Sequence, residues 1–532
     1  MKNYIWFIGA YSFLLLWSCP VWSQKKDFIE GRLLDAKTNE PIVFASIRLK
    51  GRALGVITNA DGGFRIPLSL KQYGDILEIS SMGYQTKEIS ITELAQDQLN
   101  LIPLAAGVIG LQEATVIGKD KRRRNLDASQ IVQKAIDAIP NNYASTSFST
   151  IGYYRDYQFK DEEYINLNEA ILEVFDQGID QLDDSTSEVR IFNFDLNKDF
   201  KIDSMARKAY DYKSYRKIIK KAYLDVSGGN EFRILRIHDA IRNYNVDSYD
   251  FIGTLKTNFI ENHFFLRSSD TSRDNEELYT IKFKVFYPNY RVNGTIYISK
   301  LDYSIHKLEY TMYDEKKWSK NRKKNKHGHR QKVIFDITTN YRRINDKMYL
   351  NYISFNNSFI LYIPPIFIAN YITVDLKCKC FVIEYNNLPE PKSALNLRNY
   401  EVNFNKRRVK IKRAERLQNR VFLYPNMEQE DITKMLGEII EEDKKGLNLN
   451  ALIDVRIDNV RDTLGNLINK WTEEEFFQYR EFFVQRVKPN RRAPFDKPFM
   501  DKTIPIFADQ PIIKPKDYKE YWMNTPLQNK VN

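Results

Sequence analysis

Between Phe28 and Leu104 apolar and polar residues alternate in short runs: "FIEGRLLDA", "IVFASIRLKG", "GVITNADGGFRIPL", "DILEISSMGY" and "KEISI". Alternation at period two puts one set of side chains on each face of a strand, so each run predicts a half-buried strand. Asp35, Asn39, Pro41, Gly51, Gly55, Gly62, Gly63 and Gly74 punctuate the runs, the spacing of a small antiparallel sandwich. In "NADGGF" the turn Asp61-Gly62-Gly63 has an Asp-Gly pair able to take positive φ, which reverses one strand into the next. Its role is structural.

After this block the pattern changes period. A basic linker (105–126) contains "KDKRRRN", and Asp127 with Gln130 then makes a capping-box start to "ASQIVQKAIDAI", an amphipathic helix that ends at Pro140. The centre reads as a β meander: "IKFKVFY", "YRVNGTIYIS", "YSIHKLEYTMYD", "KVIFDITTNYRRI" and "MYLNYISFNNSFI". Val292, Gly294, Ile296 and Ile298 share one face of its second strand, and Val333, Phe335 and Ile337 share one face of its fourth. A helical segment (426–488) is expected next. "MEQEDITKMLGEIIEEDKKG" begins after Asn426 as cap and ends at Gly446, and "TEEEFFQYREFFVQRV" opens with a Thr472…Glu475 capping box and carries Phe476, Phe477, Phe482, Phe483 and Val487 as an apolar stripe. The proline-punctuated tail (489–532), with Trp522 near its end, reads as an extended surface arm or a partner segment.

Composition agrees with a folded, mainly β chain. Apolar residues are 43% and charged residues 28%, with only 21 glycines and 18 prolines, so the sequence is not low-complexity. Aromatics suit a pleated surface, and there are 33 tyrosines and 32 phenylalanines. The expected class is an N-terminal β-sandwich (28–104), a larger antiparallel β domain led by one helix (127–425), and C-terminal helices.

The N-terminus gives an address. Lys2, the apolar run from Ile5 to Trp17 and the small Ser23 before Gln24 read as a secretory signal peptide over 1–23. A rival reading takes Leu16-Trp17-Ser18-Cys19 as a lipobox, which leaves Cys19 lipidated and the chain membrane-anchored. The nearest later approach to a spanning helix, Phe359 to Val374, is interrupted by Pro364-Pro365, so no transmembrane helix is expected after signal cleavage. Net charge is +12, drawn from "KDKRRRN", "KKWSKNRKKNKHGHR" and "NKRRVKIKR". Such runs attract anionic lipid surfaces, or simply solubilise loops. Nucleic acid is not an expected partner of an exported chain.

With these residues on the page, a family resemblance becomes specific. Gly31, Asp35, Pro41, Ala45, Gly55, Thr58-Asn59, Gly62 or Gly63 and Phe64, with the later "ISSMGYQTKEISI", resemble the carboxypeptidase regulatory-like domain. The resemblance implies a transthyretin-like β-sandwich without catalytic residues of its own. "LQEATVIGKD" is similar to the lead into the plug of TonB-dependent transporters, which often follow that sandwich, but fewer residues remain than a barrel of about twenty-two strands needs. Asn142-Tyr143, Tyr153-Tyr154-Arg155 and Glu169-Ala170 resemble a domain of unknown function that succeeds the sandwich in envelope proteins of Gram-negative bacteria. The greasy-faced meander loosely resembles the curved sheet of envelope lipoprotein carriers.

Candidate chemistry is sparse. Arg155 and Glu169 are the candidate functional pair, with a structural ion pair as the alternative. His306 and Glu309 have the His-x-x-Glu spacing of a zinc site, but on a strand positions i and i+3 point to opposite faces. His327 and His329 sit among lysines that oppose a divalent cation, and His238 and His263 have no metal partner in sequence. Cys378 and Cys380 are expected as two small apolar residues on one strand face and not as a disulfide. No Gly-x-Ser-x-Gly elbow or phosphate-binding glycine loop occurs. No catalytic residue, metal or cofactor is therefore expected. The function read from the sequence is a non-enzymatic exported envelope protein that binds or scaffolds at the outer membrane through its sandwich, with an envelope protein or an anionic lipid surface as partner. The alternatives are a lipid or lipoprotein carrier using the apolar face of the meander and, third, a cryptic hydrolase.

Overall fold

The structure, a computed structural model, describes residues 28–50, 54–59, 61–73, 75–107, 126–161, 163–220, 227–247, 252–274, 276–314, 332–446, 452–496 and 498–523. The signal segment, the "KDKRRRN" linker and His327 and His329 with their basic stretch lie outside these residues. The chain is mainly β, 48% strand against 15% helix, and forms two compact units.

The first unit contains residues 1–210, 219–359 and 476–532. At its N-terminal end Phe28–Asp35 is flanked by Gly63–Pro67 and Asn100–Leu104, and a second sheet runs Gly55–Ile57, Ser46–Leu49, Ile76–Ser80, Lys87–Ser90. Ile29, Leu33, Phe64 and Ile66 meet Ile47, Leu49, Leu77 and Ile79 in one core. The sandwich is not wholly antiparallel, because Asn100–Leu104 runs parallel to Phe28–Asp35. In the turn, Asn59 Oδ1 accepts from the amides of Asp61 and Gly63 at 3.1 and 2.8 Å, and Asp61 Oδ1 accepts from Gly63 N at 2.9 Å. Of the three turn residues singled out, only Gly62 takes positive φ, +74°, and a Cβ there would stand 2.6 Å from Leu33 O. Asp61 instead contributes its side-chain oxygen to the turn. Gly31 is small for a packing reason: its missing Cβ leaves room for the Phe64 ring.

The rest of this unit is one long sheet. Its strands follow in the order Glu188–Leu196, Glu163–Asp176, Phe148–Lys160, Thr472–Pro489, Lys347–Ile363, Lys332–Ile344, Ile305–Asp314, Tyr290–Ser299, Glu276–Tyr287 and Phe264–Arg267. The meander strands pair antiparallel with their neighbours, as the hairpin pattern predicts. One face packs under helices. Phe232 of Glu231–Ile237 meets Tyr154 and Phe482 edge-on at 5.2 and 5.3 Å, and Phe259 of Phe259–Asn262 meets Phe283 at 4.9 Å. The helix Ala128–Asp137 starts at the expected capping box, Asp127 with Gln130. Alternation turns Tyr153, Tyr352 and Phe483 to the opposite face, where they join Phe44 and Ile57 of the sandwich.

The helix expected from Thr472 is absent. Thr472–Pro489 is an 18-residue strand lodged in mid-sheet, antiparallel to Phe148–Lys160, so the Thr472…Glu475 box caps nothing. Its adjacent pairs Phe476-Phe477 and Phe482-Phe483 fit a helical stripe, but they equally give a strand one ring on each face, which a strand covered on both sides needs. Tertiary burial decides the outcome.

The tail also departs from a surface arm. Met500 N and Ile513 N donate to Val189 O and Ile191 O, so the segment runs along the edge strand Glu188–Leu196. Trp522 then enters the sandwich core with 6% of its surface exposed. Among the described residues the tail thus covers a sheet edge and fills a core.

The second unit comprises residues 211–218 and 360–475. One sheet orders Ala369–Asp375, Cys380–Tyr385, Arg420–Pro425 and Ile411–Leu417, and another orders Arg407–Val409, Tyr400–Phe404 and Ile453–Ile457. The expected helix is present as Gln429–Lys444, burying Ile432, Met435, Leu436 and Ile439, with Gly446 at φ +69° just beyond it. Its N-cap is Glu428 and not Asn426. The cysteine expectation is overturned: Cys378 and Cys380 are disulfide-bonded. Lys379 between them has φ +53°, so Cys378 belongs to the turn before the strand and the two residues do not lie on one pleated face.

Candidate functional site

The long sheet buries two layers of charge, one on each face. Phe148–Lys160 sets Arg155 opposite Glu169 on one neighbouring strand and opposite Glu481 on the other. Arg155 Nε donates to Glu481 Oε2 at 2.6 Å, and both side chains are almost completely buried. Tyr352 Oη donates to the other Glu481 oxygen at 3.1 Å, and Tyr153 Oη donates to Glu169 Oε1 at 2.5 Å. Burial opposes the charge on Arg155, but Glu481 beside it outweighs that and holds the guanidinium above its ordinary range. Burial, then Glu169, pushes the Tyr153 phenol up. The sequence pair thus meets in register, within a row that Glu481 extends.

On the helix-covered face Arg480 Nε donates to Glu231 Oε2 at 2.5 Å and Arg480 Nη1 to Asn357 Oδ1 at 2.7 Å. Asp156 accepts from Tyr154 Oη and Asn168 Nδ2, both at 2.9 Å. Its carboxyl is pushed up to about 7, by burial first and then by Glu231. Glu481 and Arg480 were missed in the sequence because they sit in the run read as helix; a strand reading, with one charge per face, is the signal that finds them.

The three described histidines each make a contact within the fold. His306 Nε2 lies 3.4 Å from Glu276 Oε2, whereas Glu309 pairs with Lys307. His238 and His263 contact the carbonyls of Ile234 and Phe259 through Nδ1, and His238 stacks on Phe355 at 4.1 Å. Among the described residues no group of three or more His, Cys, Asp or Glu could hold a metal ion.

The arrangement with most bearing on function is the seat of the sandwich. Phe44, at φ +57°, stacks on Tyr352 with centroids 4.7 Å apart, and Arg48 Nη2 donates to Asn351 Oδ1 at 2.7 Å. From the other side Trp522 Nε1 donates to Arg65 O at 3.0 Å, while the Gln485 amide, on the strand Thr472–Pro489, grips the Trp522 backbone through O at 2.6 Å and N at 3.3 Å. The sandwich is held as a fixed element of its unit.

Comparison with known proteins places this element. Residues 29–116 match the CarboxypepD_reg-like domain. The chain is 39% identical over 88 residues to the TonB-dependent receptor SusC of Bacteroides thetaiotaomicron, which is 16% of this chain and 8% of that receptor. The match thus spans less than a tenth of the relative's length. A DUF1329 family protein from Desulfovibrio piger aligns with 44% of this chain and 87% of its own, at 6% identity and a TM-score of 0.18, a likeness too slight to carry an argument.

Proposed function

We propose that the protein is exported, is not an enzyme, and works at the outer membrane as a binding or scaffolding protein that presents its sandwich from a rigid seat. The observation that carries this reading is the sandwich itself: a similar segment occurs in a TonB-dependent receptor, and here it is held on the sheet by Phe44 and filled by Trp522. A domain meant only to tether would need no shared core. The charged layers support the reading from the other direction, since Arg155 and Glu481 are spent on each other, Glu481 also on Tyr352, and Glu169 on Tyr153 and Asn197.

The carrier alternative draws no comparable support. The apolar face of the meander is packed by Phe259, which meets Phe283, and by His238, which stacks on Phe355. A cavity on that side, walled by Tyr143, Phe148, Tyr341 and Met348, holds about 20 Å³, room for one water and not an acyl chain. The test is intact mass and membrane fractionation of the full chain expressed in a Gram-negative host. A protein beginning at Gln24, or lipidated at Cys19, that sediments with outer membranes is expected. An unprocessed chain in the cytosolic fraction would sink the proposal.

A further inference from the structure

Within the second unit, Tyr400–Phe404 and Arg407–Val409 form a hairpin at the edge of their sheet, turned by Asn405 and Lys406 at φ +46° and +63°. Asn426 N donates to Lys410 O at 2.7 Å, which ties the hairpin to the segment leading into Gln429–Lys444. Between the two lies an open groove of about 700 Å³. Arg407, Arg408 and Lys410 line it together with Phe404, Met427 and Met435, and no carboxylate does. Phe404 and Arg407 stand opposite each other in the ladder, so ring and guanidinium reach the same side. All three cations are exposed, and among the described residues no acid pairs with them. Other arginines of this unit are already spent: Arg413 pairs with Glu415 and stacks on Tyr424, and Arg420 pairs with Glu384 at 2.7 Å. The acids that follow Met427, namely Glu428, Glu430 and Asp431, open the helix, where its dipole favours them, and line no part of the groove.

This wall asks two things of a ligand. Two guanidinium forks and an ammonium with no internal counter-charge attract oxyanions, and the forks match the several oxygens of a phosphate. The apolar wall gains only from carbon atoms beside that anion, and Met427, with 40% of its surface in solvent, is a flexible side chain able to meet them. An acidic peptide supplies the charge and leaves Phe404 and Met427 facing hydrated carboxylates. A phospholipid supplies both, since its phosphate is joined directly to glycerol and the first methylenes. Because the groove is open and not enclosed, it suits a headgroup that stays in its bilayer and not an extracted chain.

We propose that this groove docks on an anionic phospholipid surface, with Arg407, Arg408 and Lys410 on the phosphates and Met427 against the glycerol and upper acyl carbons. The site goes beyond the scaffolding role of the sandwich and does not rest on it: that role is read from where the exported chain sediments, whereas docking is read on purified chain beginning at Gln24, without an acyl group. The experiment is flotation on vesicles of phosphatidylglycerol in phosphatidylcholine, against phosphatidylcholine alone, at physiological ionic strength. A cation near such a surface is worth about a factor of five, so Arg407→Gln with Arg408→Gln weakens partitioning about twenty-five-fold. Arg413→Gln with Arg420→Gln removes the same formal charge from side chains already paired and weakens it about threefold at most, because charges away from the contact are screened. Met427→Gln weakens it about threefold and leaves its salt dependence unchanged. The altered side chains are exposed, so every variant keeps the wild-type unfolding temperature, which checks that the fold is intact. Equal losses in the two arginine pairs, wild-type binding by Met427→Gln, or no preference for phosphatidylglycerol overturns the proposal. Binding to polyglutamate that Arg407→Gln with Arg408→Gln abolishes, without vesicle binding, overturns it in favour of an acidic protein partner.

Discussion

Trp522→Ala tests whether the C-terminal arm is a structural part of the sandwich. The indole is 6% exposed, so it buries nearly all of the 150–250 Å² that an aromatic side chain offers. At about 25 cal/mol per Å², and with the Ala methyl retained, truncation costs about 3–5 kcal/mol, in line with large-to-small substitutions of this type. Losing the bond to Arg65 O adds about 1 kcal/mol. A loss of about 4 kcal/mol raises the population of locally opened sandwich about a thousandfold. Hydrogen exchange read by mass spectrometry resolves this by segment. Amides of Phe28–Asp35 and Gly63–Pro67, which flank the inserted ring, are expected to exchange a hundred- to a thousandfold faster in the variant. Amides of Gln429–Lys444, in the second unit, serve as the control and keep their rate. Sandwich amides exchanging at the wild-type rate would refute the reasoning, because the ring would then contribute nothing to the core it enters.

Glu481→Gln leaves Arg155 buried without its carboxylate and is expected to cost about 3–5 kcal/mol in thermal or denaturant unfolding, while Arg155→Met with Glu481→Gln recovers much of that loss; equal loss in both would show that the pair is not coupled. Asp156 predicts a pH dependence of definite sign. Its folded pKa of about 7 lies above the ordinary 3.8, so the folded state keeps a proton that the unfolded chain releases, and stability from this group falls by about 1.4 kcal/mol per pH unit between those values. Asp156→Asn removes the fall while keeping an acceptor for Asn168, so the unfolding temperature of the variant relative to wild type is expected to be higher at pH 8 than at pH 5. A difference that stays constant across that span refutes the assignment.

The parts of the fold legible in sequence are those in which one local pattern has one solution. Strict alternation in Phe28–Asp35 and in the meander strands fits only a strand with one dry face, and Asn59, Asp61 and Gly62 mark a turn by side-chain chemistry that works over a few residues. Thr472–Pro489 was illegible because paired phenylalanines satisfy both periods, and only the strands on either side select between them. Trp522 could not be placed because its pocket is built some 450 residues away, around Arg65. The contact of Arg48 with Asn351 has the same character, since nothing short of the docked sandwich brings the two together.

The charges of the terminal strand answer a problem that its apolar residues create. A segment with aromatic rings on both faces has little hydrophobic preference between two registers, since a slip by one residue exchanges one set of rings for another. Arg480 and Glu481 remove that ambiguity. In the native register they point to opposite faces, Arg480 to Glu231 and Glu481 to Arg155. A slip by one residue would move Arg480 to the face of Arg155 and Glu481 to the face of Glu231, so that both native pairs are lost and, depending on its direction, either Arg480 comes opposite Arg155 or Glu481 takes the place facing Glu231. Each misplaced pair costs more than any ring contact the slip could gain. The buried ion pairs therefore act chiefly on register, and they explain how a strand that arrives last in the chain, after more than a hundred intervening residues of a separate unit, enters the middle of the sheet in one alignment.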